Sequence, residues 1–303
     1  MTSQHAPIYL AGQTGCGKTA VALEIAKQLG GVEIINADAY QVYRGIEILS
    51  AAPSAGEQEQ CPHHLFGILG PDEECDAATF AKMAKAAIEK VSNRAVPLVV
   101  GGSGLYLKAI THGLAPTPKS EPELREKLDK RSLESLIEEY ERLDPDGAAQ
   151  TNLKNRRYVT RNLEICLLSA RSASEIKKEW ENNAPELDAA YLFRDREIIY
   201  ERINQRTHAM IAAGAIAEIA ALPNFSATAA KAIGIREIKA HLAGEITRNE
   251  MIEQIQQITR RYAKRQASWF KRESAFQRVE ISTTESPAET ASRILSELER
   301  TRP

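Results

Sequence analysis

Apolar and polar residues alternate along the first hundred positions in blocks typical of strands followed by helices. Ile8–Ala11 is a short apolar run, and residues 20–29 then repeat apolar side chains at helical spacing. Val32–Ile35 and Val96–Val100 are two further apolar runs, with an amphipathic helical pattern at 80–91 between them. Continuous apolar runs of this kind are typical of parallel strands that helices cover on both faces. The pattern therefore predicts a doubly wound α/β parallel sheet.

The middle of the chain has a different pattern, which predicts a helical insertion. Three prolines occur in THGLAPTPKSEPE, and residues 121–180 then show almost wholly helical spacing. The segment AAYLFRD reads as a strand that returns the chain to the sheet. We expect a core formed by residues 1–115 and 189–303, interrupted by an insertion at 116–188, and C-terminal helices that carry a basic run.

The loop between the first strand and the first helix reads GQTGCGKT and matches G-x-x-x-x-G-K-[ST] in full. Its glycines allow backbone N–H groups to turn toward a phosphate at the start of the helix. Lys18 adds a cation, and Thr19 adds a hydroxyl that can ligate Mg²⁺. The core is thus predicted to resemble phosphate-loop (P-loop) NTPases, with a diphosphate bound by Gly12, Gln13, Thr14, Gly15, Cys16, Gly17, Lys18 and Thr19.

Two polar residues follow neighbouring apolar runs and belong to the same predicted crevice. Asp38 follows the second run and Ser103 follows the third. Ligands of open parallel sheets bind beyond the carboxyl ends of the strands, so both residues should face the phosphate loop. Asp38 is then an outer metal ligand or a general base, and a role in a turn or helix cap is the alternative.

Composition and charge narrow the class of protein. The chain has 303 residues, 43% hydrophobic and 26% charged, and a formal net charge of −2. Basic runs with interleaved aromatic residues occur at 154–161 and 260–272, which indicates either a nucleic-acid surface or ordinary charged helices. We see no secretory pattern and no apolar stretch of membrane-spanning length, so a cytoplasmic protein without a membrane partner is expected. The four cysteines form no C-x-x-C pair.

Eight segments together resemble the tRNA dimethylallyltransferases, also called tRNA isopentenyltransferases. They occur in that family's order over nearly the whole chain: GQTGCGKT, NADAYQVYRG, PHHL, VGGSGLYL, NRRYVTRNLE, RINQRTHAMIAAG, KAIGIREI and RRYAKRQASWF. The resemblance implies transfer of a dimethylallyl group from dimethylallyl diphosphate to N6 of the adenosine 3′ of the anticodon, with Mg²⁺. It also implies that the P-loop holds the diphosphate leaving group.

The resemblance and this chemistry suggest roles for individual residues. Asp38 would accept the proton of the adenine amine, and Ser103 would position that amine. Lys18, Thr19 with Mg²⁺, Arg202 and Arg206 would neutralise the leaving pyrophosphate. The tRNA anticodon stem-loop would meet a two-lobed monomer at Asp38, Ala39, Tyr40, Gln41, Ser103, Arg156, Arg157, Arg161, Arg261, Lys264 and Arg265.

Three other functions stay open on the sequence. A small-molecule kinase would share the P-loop but would turn over ATP without RNA. A non-catalytic RNA-binding protein would bind RNA equally well without Asp38 and Lys18. A prenyltransferase of free nucleotides would be more closely related to the tRNA dimethylallyltransferases than either of these, but the helical insertion argues against this function. The chain also departs from the family pattern, notably at Gln13, Cys16, Ala39 and Gly67.

Overall fold

The computed structural model describes residues 5–181 and 186–301. The chain divides into two compact units. The core unit comprises Met1–Thr111 and Glu186–Pro303, and the helical unit comprises His112–Pro185. None of the helices in the described ranges is long and apolar enough to cross a membrane.

The core unit contains a parallel sheet, as the apolar runs predict. Its strands are β1 (Ile8–Gly12), β2 (Val32–Asn36), β3 (His63–His64), β4 (Val96–Gly101), β5 (Asp188–Phe193) and β6 (Gln277–Glu280). They lie in the order β3-β2-β4-β1-β5-β6, and every neighbouring pair is parallel. The sequence did not predict β3, which has two residues, or β6, which exposes alternate polar side chains.

Helices flank this sheet and make up the helical unit. The core unit begins with α1 (Lys18–Leu29), α2 (Glu47–Ser50), α3 (Ala55–Gln58), α4 (Ala77–Ser92) and α5 (Gly104–Thr111). The helical unit contains α6 (Pro122–Asp129), α7 (Leu133–Leu143), α8 (Pro145–Gln150), α9 (Arg156–Ser169) and α10 (Ala173–Glu181). The core unit continues with α11 (Arg196–Ala212), α12 (Ala215–Ala220), a 3-10 turn (Ala229–Lys231), α13 (Ile235–Leu242), α14 (Arg248–Phe270) and α15 (Pro287–Thr301).

Successive residues of the central strands enter two different hydrophobic cores. Tyr9 packs in the core that contains Phe80 of α4, whereas Leu10 packs in the core that contains Ile25 of α1. Such alternation follows from strand geometry, because neighbouring side chains point to opposite faces of a sheet. Helices therefore cover both faces, which confirms the doubly wound α/β fold.

Close approach of two strand ends brings the predicted site loops together. A Cβ at Gly101, the last residue of β4, would lie 2.1 Å from the carbonyl oxygen of Ala37, which follows β2. Only glycine allows this approach, because any side chain would require the backbone to move. The loops that carry Asp38 and Ser103 are consequently neighbours.

Candidate functional site

The P-loop wraps around the N-terminus of α1. Gly15 and Gly17 adopt φ angles of 86° and 103°, a left-handed region that side chains disfavour. The Nζ of Lys18 donates to the carbonyl oxygens of Gly12, at 2.9 Å, and of Gln13, at 3.2 Å. Lysine has a third donor, and Lys18 and Thr19 both line the crevice above the sheet. The loop thus presents a cation and a hydroxyl beside the helix N-terminus.

Two arginines support the outer side of this loop through its carbonyl groups. Arg202, which was predicted for the diphosphate, donates from Nε to the oxygen of Gly15 at 2.6 Å and lines the crevice. Arg194 donates from Nε to the oxygen of Cys16 at 3.0 Å, and the sequence analysis missed it. The sequence feature that could have identified Arg194 is its position immediately after the strand β5. The thiol of Cys16 is fully buried in the core, so Cys16 can meet a diphosphate only through its backbone.

Asp38 and Ser103 lie on adjoining loops, as predicted. Oδ1 of Asp38 accepts the N–H of Tyr40 at 3.1 Å, which forms the turn considered as the alternative role. No described residue donates to Oδ2, so the turn leaves one carboxylate oxygen available. Oγ of Ser103, whose residue is 7% exposed, accepts the N–H of Ala39 at 3.3 Å. This bond fixes the serine hydroxyl on the Asp38 loop.

Arg206 contributes an unpaired cation to the same crevice. Its Nη2 contacts the carbonyl oxygen of Ser50 at 3.4 Å, and it forms no ion pair with a described carboxylate. Burial lowers the pKa of Arg206, and the negative charge of Asp38 partly opposes this shift. A guanidinium nevertheless stays charged in proteins. A buried cation without a counter-ion favours the arrival of an anion.

Tyr262 of α14 is a site residue that the sequence analysis missed. Its hydroxyl lies 3.4 Å from Oγ of Ser103, and the guanidinium of Arg265 lies 5.5 Å from the centre of its ring. Burial raises the pKa of Tyr262, and it raises that of Tyr40 to about 12. Both phenols are therefore neutral near pH 7 and can donate hydrogen bonds. The sequence feature that could have identified Tyr262 is its position as an aromatic residue within the basic run at 260–272.

Gln41, which is predicted to meet the tRNA, is anchored by its side-chain amide within the core unit. Its Nε2 donates to the carbonyl oxygens of Ser50, at 3.2 Å, and Ala51, at 2.9 Å. Both amide protons are thus engaged within the chain, and only Oε1 remains for a ligand. The expected contact of Gln41 with tRNA stays a prediction, in which Oε1 could still serve as an acceptor.

His63 is a second residue whose place in the crevice was not foreseen. Nδ1 lies 2.8 Å from the carbonyl oxygen of Cys61, which can only accept, so Nδ1 carries the proton. Nε2 is then an acceptor, and it is buried without a hydrogen-bond partner among the described residues. Burial lowers the pKa of this imidazole. The ring lines the crevice as a neutral acceptor.

Part of the remaining crevice wall is apolar. The cavity volume is about 440 Å³. Side chains from three core-unit segments line it, namely Ile203, Met210, Ile233 and Ile255. The crevice therefore combines a cationic phosphate end with a surface suited to a hydrocarbon.

The predicted RNA-binding basic residues have unequal environments. Arg261, Lys264 and Arg265 are exposed on α14 of the core unit, and Arg157 is exposed on the helical unit. Arg156 instead donates from Nη2 to three backbone carbonyls, those of Leu128, Asp129 and Arg131. Arg161 pairs with the buried carboxylate of Glu164 at 2.8 Å and donates to Pro118. These two arginines have structural partners within their own unit.

Comparison with known proteins identifies relatives over almost the whole chain. The IPP transferase family model matches residues 41–273, more than half of the sequence. A tRNA dimethylallyltransferase of Akkermansia muciniphila is 41% identical over 292 residues, which cover 96% of this chain and 99% of that protein. One from Trichlorobacter lovleyi, named tRNA dimethylallyltransferase 1, is 41% identical over 89% of this chain and 92% of its own length.

The comparison with solved structures identifies transferases of the same kind. The tRNA isopentenylpyrophosphate transferase of Bacillus halodurans superposes with a TM-score of 0.70 at 29% identity, covering 98% of each chain. A eukaryotic dimethylallyltransferase described as acting on tRNA gives a TM-score of 0.81 at 25% identity, covering 99% of this chain and 80% of the other. The family resemblance inferred from the sequence motifs is thereby confirmed, and the chain belongs to the tRNA dimethylallyltransferase (IPP transferase) family.

Proposed function

We propose that the crevice of the core unit transfers a dimethylallyl group from dimethylallyl diphosphate to N6 of the adenosine 3′ of the tRNA anticodon, releasing pyrophosphate. The observation that carries the proposal is the guanidinium of Arg206, which has no ion-pair partner among the described residues and lines one crevice with the P-loop and Asp38. This arrangement supplies positive charge for a leaving diphosphate and a carboxylate for the attacking amine.

The diphosphate end stabilises charge that grows as the allylic C–O bond breaks. Backbone N–H groups and Lys18 recognise phosphate oxygens whatever group is attached to them. Arg206 adds a cation that lines the same crevice, and Arg202 adds one beside Gly15. Donors placed before the reaction stabilise the developing charge without reorganising, which is the usual source of large rate effects.

The loop also fits a bound magnesium ion. Mg²⁺ in phosphate sites keeps several waters and takes one or two protein oxygens together with substrate phosphates. The hydroxyl of Thr19 lines the crevice at the helix N-terminus, and the carboxylate of Asp38 lines the same crevice. These oxygens match that donor set, so we assign Thr19 as the protein ligand. When bound, the ion would neutralise diphosphate charge.

The adenine end couples bond formation to loss of a proton. The N6 amine is a weak nucleophile, because its lone pair is delocalised into the purine ring. As N6 forms a bond to C1 of the allyl group, one N6 proton passes to the available oxygen of Asp38. Ser103, held by Ala39 and close to Tyr262, orients the amine. The C–O electron pair leaves with pyrophosphate, so atoms and charge balance.

Exposed basic residues are proposed to contact the tRNA backbone. Arg261, Lys264 and Arg265 would do so from α14, and Arg157 would do so from the helical unit. The anticodon loop is single-stranded, so the target base can leave its stack at low cost. A monomeric state and a cytoplasmic location stay predictions, which rest on the tRNA substrate and on the family.

One assay tests the proposed function. The protein is incubated with Mg²⁺, dimethylallyl diphosphate and unmodified tRNA, and mass spectrometry then locates the prenyl group on digested nucleosides. Asp38→Asn keeps an oxygen that can accept the Tyr40 N–H but cannot take a proton at pH 7. We expect it to bind both substrates and to lose roughly 10²-fold or more in rate. Phosphoryl transfer from ATP without modification of tRNA would contradict the proposal.

A further inference from the structure

Gln266 of α14 joins two of the loops that form the crevice. Its Oε1 accepts the backbone N–H of Thr14, in the P-loop, at 2.9 Å. Its Nε2 donates to the carbonyl oxygen of Gly102, which follows β4, at 2.8 Å. The residue is 4% exposed and does not line the crevice. One amide group therefore connects the diphosphate cradle, which is the P-loop at residues 12–19, to the residue that precedes Ser103.

The geometry around Gly102 leaves little freedom in this connection. A Cβ at Gly102 would lie 2.5 Å from Nε2 of Gln266, 2.9 Å from the oxygen of Gly12 and 3.4 Å from Nζ of Lys18. The backbone at Gly102 is thus packed directly between the glutamine and the cradle. Any displacement of the cradle relative to Ser103 must break or stretch one of the two hydrogen bonds.

The same helix also contacts the next residue of this loop, Ser103. Tyr262 is four residues before Gln266, so both side chains lie on one face of α14. The Tyr262 hydroxyl lies 3.4 Å from Oγ of Ser103, while Gln266 holds the carbonyl of the residue before it. The Ser103 loop is consequently held at two successive residues from one rigid helix.

We propose that Gln266 is a positioning residue that sets the distance between the diphosphate cradle and the amine-orienting hydroxyl of Ser103. The inference rests on the proposed function, in which the cradle holds the leaving group and Ser103 orients the nucleophile. Reaction rates depend steeply on this alignment, and a displacement of about 1 Å can cost roughly 10²-fold. The cradle N–H groups of residues 15–19 do not contact Gln266, so diphosphate affinity depends less on it.

The test compares Gln266→Met with Gln257→Met. Methionine matches glutamine in length but makes neither hydrogen bond, and Gln257 is an exposed glutamine on the same helix. Prenyl transfer to tRNA gives kcat and the KM values, and calorimetry with pyrophosphate and Mg²⁺ gives affinity and the fraction of binding-competent protein. We expect Gln266→Met to lose about 10- to 100-fold in kcat. Its pyrophosphate affinity should change by about threefold or less, and Gln257→Met should match the wild type.

Gln266→Glu is the second variant, which covers the case that Gln266→Met does not fold. It keeps an acceptor for the Thr14 N–H but loses the donor to Gly102, so we expect a reduced kcat with a normal competent fraction. An unchanged kcat in either folded variant would overturn the inference, as would a loss of kcat matched by an equal loss of competent protein. The proposed function itself fails only if the wild type does not prenylate tRNA.

Discussion

Arg206→Met tests whether the crevice is built for an anion. In the free protein, the guanidinium has a carbonyl contact at 3.4 Å and no described ion-pair partner. With diphosphate bound it can form two charge-assisted hydrogen bonds, each contributing about 1.5–3 kcal/mol. Their loss amounts to about 3–6 kcal/mol in the transition state, and each 1.4 kcal/mol is tenfold. We therefore expect kcat/KM to fall by roughly 10²- to 10⁴-fold.

The free protein should respond in the opposite direction. Removing a partly buried cation without a counter-ion relieves a desolvation cost, so the melting temperature should be unchanged or higher. Arg196→Met, at an exposed arginine on the same helix, is the matched control. Single-turnover transfer to tRNA and thermal melts with and without pyrophosphate measure both effects. A variant that keeps kcat/KM within about threefold, or that melts well below the wild type without ligand, would refute the reasoning.

Two further predictions concern the helical unit and the sheet. Arg157→Ala should weaken tRNA binding without changing the melting temperature, and it should lower by about 1 the slope of the logarithm of the binding constant against the logarithm of salt concentration. Arg161→Ala should instead lower the melting temperature, because Arg161 pairs with the buried carboxylate of Glu164. The hydrogen bond from Arg94 is the main cause that lowers the pKa of Glu33 below its ordinary value. The resulting stability is present above the unfolded-state pKa and is lost as pH falls through the native one. Urea midpoints should fall less steeply with decreasing pH in Glu33→Gln than in the wild type, because other carboxylates with lowered pKa values still titrate in the variant.

Local motifs and sheet architecture predicted the centre of the site. The P-loop depends on consecutive residues, and the rule for strand ends places the loops of Asp38 and Ser103 side by side at one edge of a parallel sheet. The structure brings these loops together through the bond from Ala39 to Ser103. Asp38 also illustrates a limit, because its two candidate roles, turn residue and general base, use different oxygens of one carboxylate.

Long-range contacts were beyond the sequence patterns. Gln266 meets Thr14 across 252 positions of sequence, and this contact depends on how α14 docks on the sheet. The basic run that contains Arg156 raised a similar difficulty. Net charge does not distinguish an arginine whose donors are used by backbone carbonyls, such as Arg156, from one that is free for phosphate, such as Arg157.

The apolar part of the crevice wall favours a prenyl donor over ATP as the occupant of the P-loop. A nucleoside triphosphate would bring ribose hydroxyls and a polar base, and each polar group buried without a partner costs about 1–3 kcal/mol. Ile203, Met210, Ile233 and Ile255 offer no side-chain hydrogen bonds to such groups. An isoprenoid tail has no polar groups to satisfy and gains free energy by burying its methyl and methylene groups there. The phosphates can therefore be held in the same way in both cases, while the apolar wall favours the hydrocarbon.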